Sequence, residues 1–198
     1  MITPLRTRTV VAMFTVATEC GGRTFADRRR ASRRDSLAKP LFPVPGTEEL
    51  QAMAEGMVAT AQRWPGLVGL TSRRWELLAA SDTFEAWVIG WPPDGTIALH
   101  DHGDSTGAVA VAGGELVETL VTENVDGSVS TSHRRMAAGM SWRMGSRHVH
   151  DIVNDGNRPA VSVHVYAPRL TSMTHYRLDG GVLRAEKTVR YRLGDVVP

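Results

Sequence analysis

Apolar residues recur at two different spacings along the chain, and the change between them lies near residue 84. Between residues 47 and 61 the spacing is three or four residues, which predicts one apolar stripe along a helix. Thr47 is suited to cap this helix, and Glu48 and Glu49 would stand in its first turn, where the helix dipole favours acidic side chains. Trp64-Pro65-Gly66 is expected to end it. The stripe consists of Leu50, Met53, Ala54, Met57, Val58 and Ala61.

Beyond residue 84, apolar and polar residues alternate in short runs, which is the pattern of half-buried β-strands. Turn sequences rich in Gly, Pro, Asn and Asp separate the runs. Eight or nine strands at this spacing predict a mostly β protein, an antiparallel β-barrel or jelly roll that follows an N-terminal helical segment. The runs are FEAWVIGW, TIALHDH, TGAVAVAG, ELVETLVTE, SVSTSHRRM, MSWRM, AVSVHVYAP, THYRLD and VLRAEKTVRYRL.

Charge separates the beginning of the chain from the rest. Residues 1–40 hold nine Lys/Arg against three Asp/Glu, whereas the remainder holds 14 against 18, so the net charge of +2 conceals a basic segment and an acidic body. We interpret residues 1–43 as a basic, disordered extension, or as the result of a start codon assigned too far upstream, and residues 44–198 as a single domain. The basic pI therefore says little about what the domain binds.

Cysteine usage and the length of the apolar runs indicate the compartment. The single cysteine, Cys20, excludes an intrachain disulfide, which fits a reducing, cytoplasmic environment. No apolar run is long enough to span a bilayer. The apolar stretch before Cys20 is interrupted by threonines and lacks a small-residue cleavage site. We therefore expect a cytoplasmic protein with neither a membrane nor a nucleic-acid partner, either a monomer or a weak homo-oligomer.

A metal site is indicated by the stretch LHDHGDSTG at residues 99–107. Side chains two residues apart share a face of a strand, so His100 and His102 would point into the barrel while Asp101 points away. Neutral imidazoles are common metal ligands, and this pair would supply two adjacent positions around one ion. Taken alone, a His-x-His pair also occurs in many strands that bind no metal.

A second segment, GMSWRMGSRHVHDIVN at residues 139–154, extends this stretch into a longer pattern. In the spacing of its glycines and histidines the chain resembles the cupins. Within the cupins it resembles the cysteine dioxygenase family, over HDHGDSTGAVAVAGGELVETL (100–120) and HDIVNDGNRPAVSVHVYAP (150–168). The residues that carry the pattern are Gly95, His100, His102, Gly113 and Gly114 in the first motif, and Gly139, Gly145, His150 and Asn154 in the second.

The resemblance implies an Fe(II) ion held by His100, His102 and His150. The glutamate that cupins usually add would fall at Thr106 or Gly107, and neither residue can ligate as a carboxylate. Three neutral imidazoles leave Fe(II) with its full double positive charge, which favours an incoming thiolate. The missing carboxylate is therefore interpreted as a feature of the site.

Other histidines near the motifs compete with this assignment. His148 would share a strand face with His150 and is the rival third ligand, but the four-residue step to Asn154 favours His150. His133 and His175 match no part of the pattern, and we interpret them as surface or packing residues.

A polar strand face alternates with valines in AVSVHVYAP, where Ser162, His164 and Tyr166 lie two residues apart. By the resemblance, Tyr166 contacts substrate or oxygen, His164 orients the phenol and Ser162 fixes the tautomer of the histidine. Some family members crosslink this tyrosine to a cysteine, but Gly107 stands at that position here, so no thioether can form. Without the two motifs, three polar groups that satisfy one another inside a barrel would be the simpler interpretation.

A substrate that carries a carboxylate needs a buried arginine as its partner. In the resembled family this arginine precedes the first motif, and SRRWELLAASDTFEAW (72–87) offers Arg73 and Arg74 there. Ungapped counting back from His100 favours Arg74 as the substrate-binding residue, although one inserted residue would change the choice. A solvated pair of arginines on a turn is an equally open interpretation.

The resemblance as a whole implies a non-haem Fe(II) thiol dioxygenase that adds O₂ to the sulfur of L-cysteine and forms cysteine sulfinate. The small-molecule thiol and O₂ would be its partners, and the sulfur supplies the electrons, so no organic cofactor is needed. 3-Mercaptopropionate or another small thiol is the alternative substrate. Two other interpretations stay open: a zinc or nickel cupin with a different reaction, and a non-catalytic metal-binding cupin that senses or binds a small molecule.

Overall fold

The computed structural model describes residues 42–60 and 70–192. Within these residues one helix, α1 (Thr47–Thr60), precedes eleven strands. The strands are β1 (Arg74–Ala80), β2 (Glu85–Trp91), β3 (Thr96–His100), β4 (Thr106–Gly113), β5 (Glu115–Glu123), β6 (Val129–Ala137), β7 (Ser141–Met144), β8 (Val149–Val153), β9 (Ala160–Ala167), β10 (Ser172–Asp179) and β11 (Val182–Arg190). Each of the nine predicted runs contains a strand, and β1 and β8 are additional.

Helix α1 begins at Thr47, as predicted, and packs against a sheet. Glu49 accepts a hydrogen bond from the Gly46 backbone N–H (2.8 Å), which ties the preceding turn to the helix. Leu50 and Ala54 are fully buried. The helix approaches the sheet closely because the facing side chains are small: Ala86, Ala108, Ala110, Val163, Val165 and Ala167. The predicted end of the helix, Ala61 and Trp64-Pro65-Gly66, lies outside the described residues.

Two antiparallel sheets form the body of the molecule. The first has the strand order β1-β2-β9-β4-β7 and the second has the order β11-β10-β3-β8-β5-β6. Every residue of β2 is buried, since one face of this strand meets the layer beneath α1 and the other faces the barrel core. The core draws residues from both sheets, among them Trp91, Leu116, Trp142, Ile152 and Met173. The predicted antiparallel barrel is confirmed.

The first histidine motif differs in its local structure from the predicted strand. Strand β3 ends at His100, so Asp101 and His102 belong to the following loop. Asp101 does point away from the barrel core, because its carboxylate accepts hydrogen bonds from the backbone N–H groups of Gly103 and Thr174, both at 3.0 Å. These bonds hold the loop against β10, and they present His102 to the interior without a regular strand.

The predicted N-terminal extension, residues 1–43, lies almost wholly outside the described residues, and so does Cys20. Within the part of the chain that the structure describes, α1 is too short and too polar to cross a bilayer, and no other helix is a candidate.

Candidate metal centre

Three buried histidines meet between the two sheets. His100 stands at the end of β3, and His150 lies directly opposite it on the neighbouring strand β8. His102 reaches the same place from the loop after β3. The ring centroids are 4.6 to 5.2 Å apart, and one nitrogen from each ring lies within 4.8 Å of the others. The structure thus brings together the three residues that the sequence predicts as metal ligands.

The three imidazoles are neutral at physiological pH. Burial lowers the pKa of His100 and of His102 well below the usual value, and the neighbouring imidazoles lower it further. Burial also lowers the pKa of His150, against the opposing effect of a hydrogen bond to Glu118. A metal ion binds the unprotonated ring. Burial therefore keeps all three rings in the form that can ligate.

Hydrogen bonds set the tautomers of two of these rings. The Nδ1–H of His100 donates to the Ala98 carbonyl (2.9 Å) and the Nδ1–H of His150 donates to Glu118 Oε1 (2.7 Å), which leaves each Nε2 with a lone pair. The Nε2 of His150 is buried and has no hydrogen-bond partner among the described residues. An orphaned lone pair among three neutral imidazoles fits a divalent transition metal such as iron or zinc.

The rival ligand, His148, packs against His150 with ring centroids 4.6 Å apart, but its nitrogens do not belong to the group formed by His100, His102 and His150. Its Nε2 contacts Glu118 Oε1 at 2.7 Å, the same oxygen that His150 approaches. Glu118, His148 and His150 also come within 4.8 Å of one another. Two imidazole nitrogens at 2.7 Å from one oxygen are hydrogen-bonded to it, so this geometry describes a hydrogen-bonded cluster.

Glu118 is a site residue that the sequence interpretation missed. It lies on β5 with only 1% of its side chain exposed, and its other carboxylate oxygen contacts the Arg134 guanidinium. Burial alone would raise its pKa, but the hydrogen bonds from His148 and His150 hold the pKa well below the usual value. A signal was present: in Leu116-Val117-Glu118 the glutamate shares the inward face of the strand with a buried leucine.

The strand β9 presents the predicted Ser-x-His-x-Tyr face to the same centre. Ser162 Oγ lies 2.8 Å from His164 Nε2, and His164 Nδ1 lies 3.2 Å from the Tyr166 hydroxyl. The Tyr166 hydroxyl in turn lies 3.3 Å from His102 Nε2. All of these side chains are buried. The structure therefore brings these three residues into one hydrogen-bonded chain that ends at a candidate ligand.

Trp91, which the sequence interpretation did not single out, determines which group donates and which accepts at each hydrogen bond of this series. Its indole N–H can only donate, and it donates to Ser162 Oγ (2.9 Å). The Ser162 hydroxyl is then free to donate to His164 Nε2, which places the imidazole proton on Nδ1, facing the oxygen of Tyr166. Tyr166 thereby keeps its own O–H as a donor toward the centre.

Burial keeps the hydrogen-bonded side chains of His164 and Tyr166 uncharged. It lowers the pKa of His164 to about 3 and raises the pKa of Tyr166 above the usual value, with the Glu85 carboxylate adding to the effect on the phenol. Gly107 lies directly opposite Tyr166 on β4. A Cβ atom at residue 107 would approach the Tyr166 ring to 2.9 Å and the Met144 side chain to 2.8 Å. The glycine therefore lets the phenol ring pack against the backbone of β4.

The two candidate arginines take opposite directions. Arg74 begins β1 with an exposed side chain, whereas Arg73 lines a small cavity together with His100, His150 and Tyr166. The Arg73 guanidinium lies over the rings of Trp75 and Trp91, 5.5 and 5.4 Å from their centroids. Its Nη1 is buried without a hydrogen-bond partner among the described residues. Arg73 thus presents an unsatisfied donor to the cavity.

The two remaining histidines are not part of the triad. His133 is exposed on β6, where its Nδ1 lies 3.2 Å from Thr119 Oγ1. His175 is half-buried on β10, and its ring centroid is 6.1 Å from that of His100.

Asn154, the last residue of the second motif, donates hydrogen bonds to the carbonyls of Trp91 and Pro92. It thereby ties the end of β8 to the turn that leads into β3.

Several solved structures are similar to this chain at low sequence identity. One is TT1209 from Thermus thermophilus (17% identity, 65% of this chain and 99% of that one, TM-score 0.43). Another is an oxalate oxidase complex with the substrate analogue glycolate (16%, 70% and 63%, 0.44). A third is a cupin domain from Bordetella pertussis (15%, 48% and 93%, 0.38).

The family model described as cysteine dioxygenase type I matches residues 41–178. This span includes α1, both histidine motifs and the Ser-x-His-x-Tyr strand, and it ends within β10. The two-sheet antiparallel barrel is the architecture that the sequence predicted. The chain belongs to the cysteine dioxygenase type I family.

Proposed function

We propose that this protein is an Fe(II)-dependent dioxygenase that adds both atoms of O₂ to the sulfur of L-cysteine and forms cysteine sulfinate. One observation carries the proposal: the cavity that His100 and His150 line beside the three-imidazole group also holds a protonated phenol and a guanidinium whose Nη1 has no partner among the described residues. The family suggests the class of reaction, thiol dioxygenation. 3-Mercaptopropionate is the alternative substrate, since it shares the thiol and the carboxylate of cysteine.

His100, His102 and His150 would hold the Fe(II). The bound ion would supply the redox chemistry that joins sulfur to O₂, with the electrons coming from the thiol. The three protein ligands bring no negative charge of their own, which favours a thiolate over a neutral thiol.

Arg73 would bind the substrate carboxylate. A guanidinium offers two parallel N–H donors to a carboxylate, and here the group is held against two tryptophan rings with one nitrogen unsatisfied. Arg74, which ungapped counting favoured, has its side chain exposed on β1. We therefore assign the substrate-binding role to Arg73, which lines the cavity with the candidate metal ligands.

Tyr166 would hold a proton beside the reacting atoms. Its phenol stays protonated because burial raises its pKa. Because the oxygen accepts from His164, the O–H is left to donate toward the centre, where His102 Nε2 lies 3.3 Å away. A fixed O–H donor beside the centre can stabilise negative charge that develops on sulfur or oxygen. His164, Ser162 and Trp91 would act by orienting this phenol.

The proposal also covers the cellular location and the oligomeric state of the protein. The lone cysteine of the chain supports a reducing, cytoplasmic location. The proposal also includes a monomer or weak homo-oligomer as the oligomeric state.

Anaerobic loading with Fe(II), followed by O₂-uptake measurements, tests the proposal. We expect uptake with L-cysteine and sulfinate as the product, less uptake with cysteamine, which lacks the carboxylate that Arg73 would bind, and none without a thiol. Faster turnover with 3-mercaptopropionate would move the assignment to that substrate. Absence of uptake with every thiol would favour the non-catalytic binding protein, and activity with Zn(II) or Ni(II) alone would favour a different metal reaction.

A further inference from the structure

We propose that Glu118 is a positioning residue for the metal centre: it fixes His150 as a ligand and supplies, from behind that ring, the negative charge that the three-histidine set lacks. The inference rests on the metal centre of the proposed function, and it does not depend on which thiol is the substrate.

Pairing between β5 and β8 brings Glu118 to His150. Glu118 lies opposite Ile152 in the register, so His150 is its diagonal neighbour two residues away, and both side chains face the barrel interior. Glu118 Oε1 is 2.7 Å from His150 Nδ1. The contact thus comes from the sheet itself, between two strands in the middle of the molecule.

The Glu118 carboxylate is satisfied on both of its oxygens. Oε1 accepts from His150 and from His148, and Oε2 accepts from Arg134. Arg134 is itself held over the Trp142 ring, 4.9 Å from the centroid. A buried carboxylate with charge-assisted partners on both oxygens stays ionised and fixed in direction.

The consequence for His150 differs from that for His100. Both rings donate their Nδ1–H, but the acceptor is a neutral backbone carbonyl for His100 and an anionic carboxylate for His150. A carboxylate behind a metal-bound imidazole makes its far nitrogen more basic and holds the ring in place. His150 is therefore the ligand through which negative charge would reach the ion, and its Nε2 is buried without a hydrogen-bond partner among the described residues.

Glu118→Gln removes this effect with little change of volume. If the amide oxygen stays toward the two imidazoles, the amide N–H groups face Arg134, which is also a donor. If the amide turns over, its N–H groups face His150 Nδ1, which must then become an acceptor and move its proton to Nε2, where the metal should bind. Either orientation weakens metal binding, and both remove the charge.

The experiment compares Glu118→Gln with Glu85→Gln. Glu85 is the matched control because it is equally buried and also paired with an arginine, Arg169, but it makes no hydrogen bond to a candidate ligand. The Fe(II) dissociation constant is measured by anaerobic competition with a chromophoric chelator, and the Fe(III)/Fe(II) potential by spectroelectrochemical titration. For Glu118→Gln we expect about 10- to 100-fold weaker Fe(II) binding and a more positive potential. Glu85→Gln should change both quantities much less, because the Glu85 carboxylate is hydrogen-bonded to Arg169 and Leu170 and to none of the three candidate ligands.

Equal effects of the two variants, or no effect of Glu118→Gln, would overturn the inference. Should Glu118→Gln fail to fold, the potential of Arg134→Gln is measured instead. Arg134 is partly exposed, so its replacement should be tolerated, and it removes a positive charge from behind the same carboxylate. We then expect a more negative potential, and an unchanged one counts against the role of Glu118. Wild-type protein that binds Fe(II) but shows no thiol-dependent O₂ uptake would contradict the proposed function alone. Wild-type protein that binds no Fe(II) would contradict both.

Discussion

Two hydrogen-bonded chains approach the histidine triad from opposite sheets, and they differ in charge. On the six-stranded sheet, Arg134, Glu118 and His148 form an ionic network behind His150. On the five-stranded sheet, the chain from Trp91 through Ser162 and His164 to Tyr166 consists of neutral groups. We call the first the ionic side (Glu118, His148, Arg134) and the second the neutral side (Trp91, Ser162, His164, Tyr166).

The difference shows how one small core can serve two tasks. An ionised carboxylate in a dry interior is stable only when its partners are fixed, so the ionic side is suited to hold a ligand in one orientation. A neutral chain keeps its last proton, because burial raises the pKa of Tyr166 and lowers that of His164. The neutral side is therefore suited to present a donor to a changing partner, the substrate.

The largest expected effect comes from removing the ligand at the end of the ionic side. His150→Ala should abolish retention of Fe(II) after desalting, since one of the three candidate ligands is lost. His148→Ala should retain the metal, because it removes only one of the hydrogen bonds to Glu118, a contribution of about 1 kcal/mol to stability. Iron per chain, measured by a colorimetric assay, checks both variants. Loss of iron in His148→Ala with retention in His150→Ala would reverse the ligand assignment.

Removing the last donor of the neutral side should slow turnover and leave the metal in place. Tyr166→Phe keeps the ring that packs on Gly107 but deletes the O–H beside His102. Since a positioned proton donor contributes about 100-fold or more to a rate, we expect kcat to fall about 100-fold at unchanged iron content. Steady-state O₂ uptake with L-cysteine measures the rate. Turnover equal to that of the wild type would mean that the neutral side is a packing arrangement only.

The two neighbouring arginines offer a matched test of the cavity beside the neutral side. Arg73→Gln should lower kcat/KM for L-cysteine about 10- to 100-fold, because a hydrogen bond to a charged group contributes about 1.5 to 3 kcal/mol. Arg74→Gln removes an exposed charge and should leave kcat/KM near the wild-type value. The same kinetic assay with cysteamine should show a much smaller effect of Arg73→Gln. A larger loss in Arg74→Gln than in Arg73→Gln would contradict the assignment.

The neutral side could be predicted from the sequence because it lies on one regular strand. Residues two apart in β9 share a face, so alternation alone aligned Ser162, His164 and Tyr166. The choice between Arg73 and Arg74 depends on a local feature, since the structure places Arg73 beside the cavity and leaves the Arg74 side chain exposed. The pairing of β1 with β2 shifts between Leu77 and Ala79, and one extra residue in a strand exchanges its inward and outward positions. Ungapped counting cannot detect such a bulge.

The ionic side could not be predicted in the same way, because its contacts are not local. Glu118 meets His150 only through the pairing of β5 with β8, across 32 residues of chain. The sequence does show a glutamate on an otherwise apolar strand face, but it does not show which strand lies beside it. His102 is a related case: the sequence placed it correctly beside His100, although a loop held by Asp101 does so instead of a strand.

The smallest expected effect is on the pH dependence of the unfolding free energy of the metal-free protein, to which the neutral side and the ionic side should contribute in different pH ranges. A buried imidazole with a lowered pKa takes up its proton more readily in the unfolded chain, so its contribution to stability is complete above about pH 6.5 and falls as the pH drops. For His164, whose pKa is lowered to about 3, the loss should be about 1.4 kcal/mol per pH unit below about pH 6. Glu118 also has a lowered pKa, but its loss should begin only below about pH 4.5, where the unfolded carboxyl becomes protonated. Urea unfolding of the wild type and of His164→Gln between pH 7 and 5 checks this. The variant should show a shallower decline of the unfolding free energy with falling pH, and parallel curves would mean that His164 does not titrate on unfolding in this range.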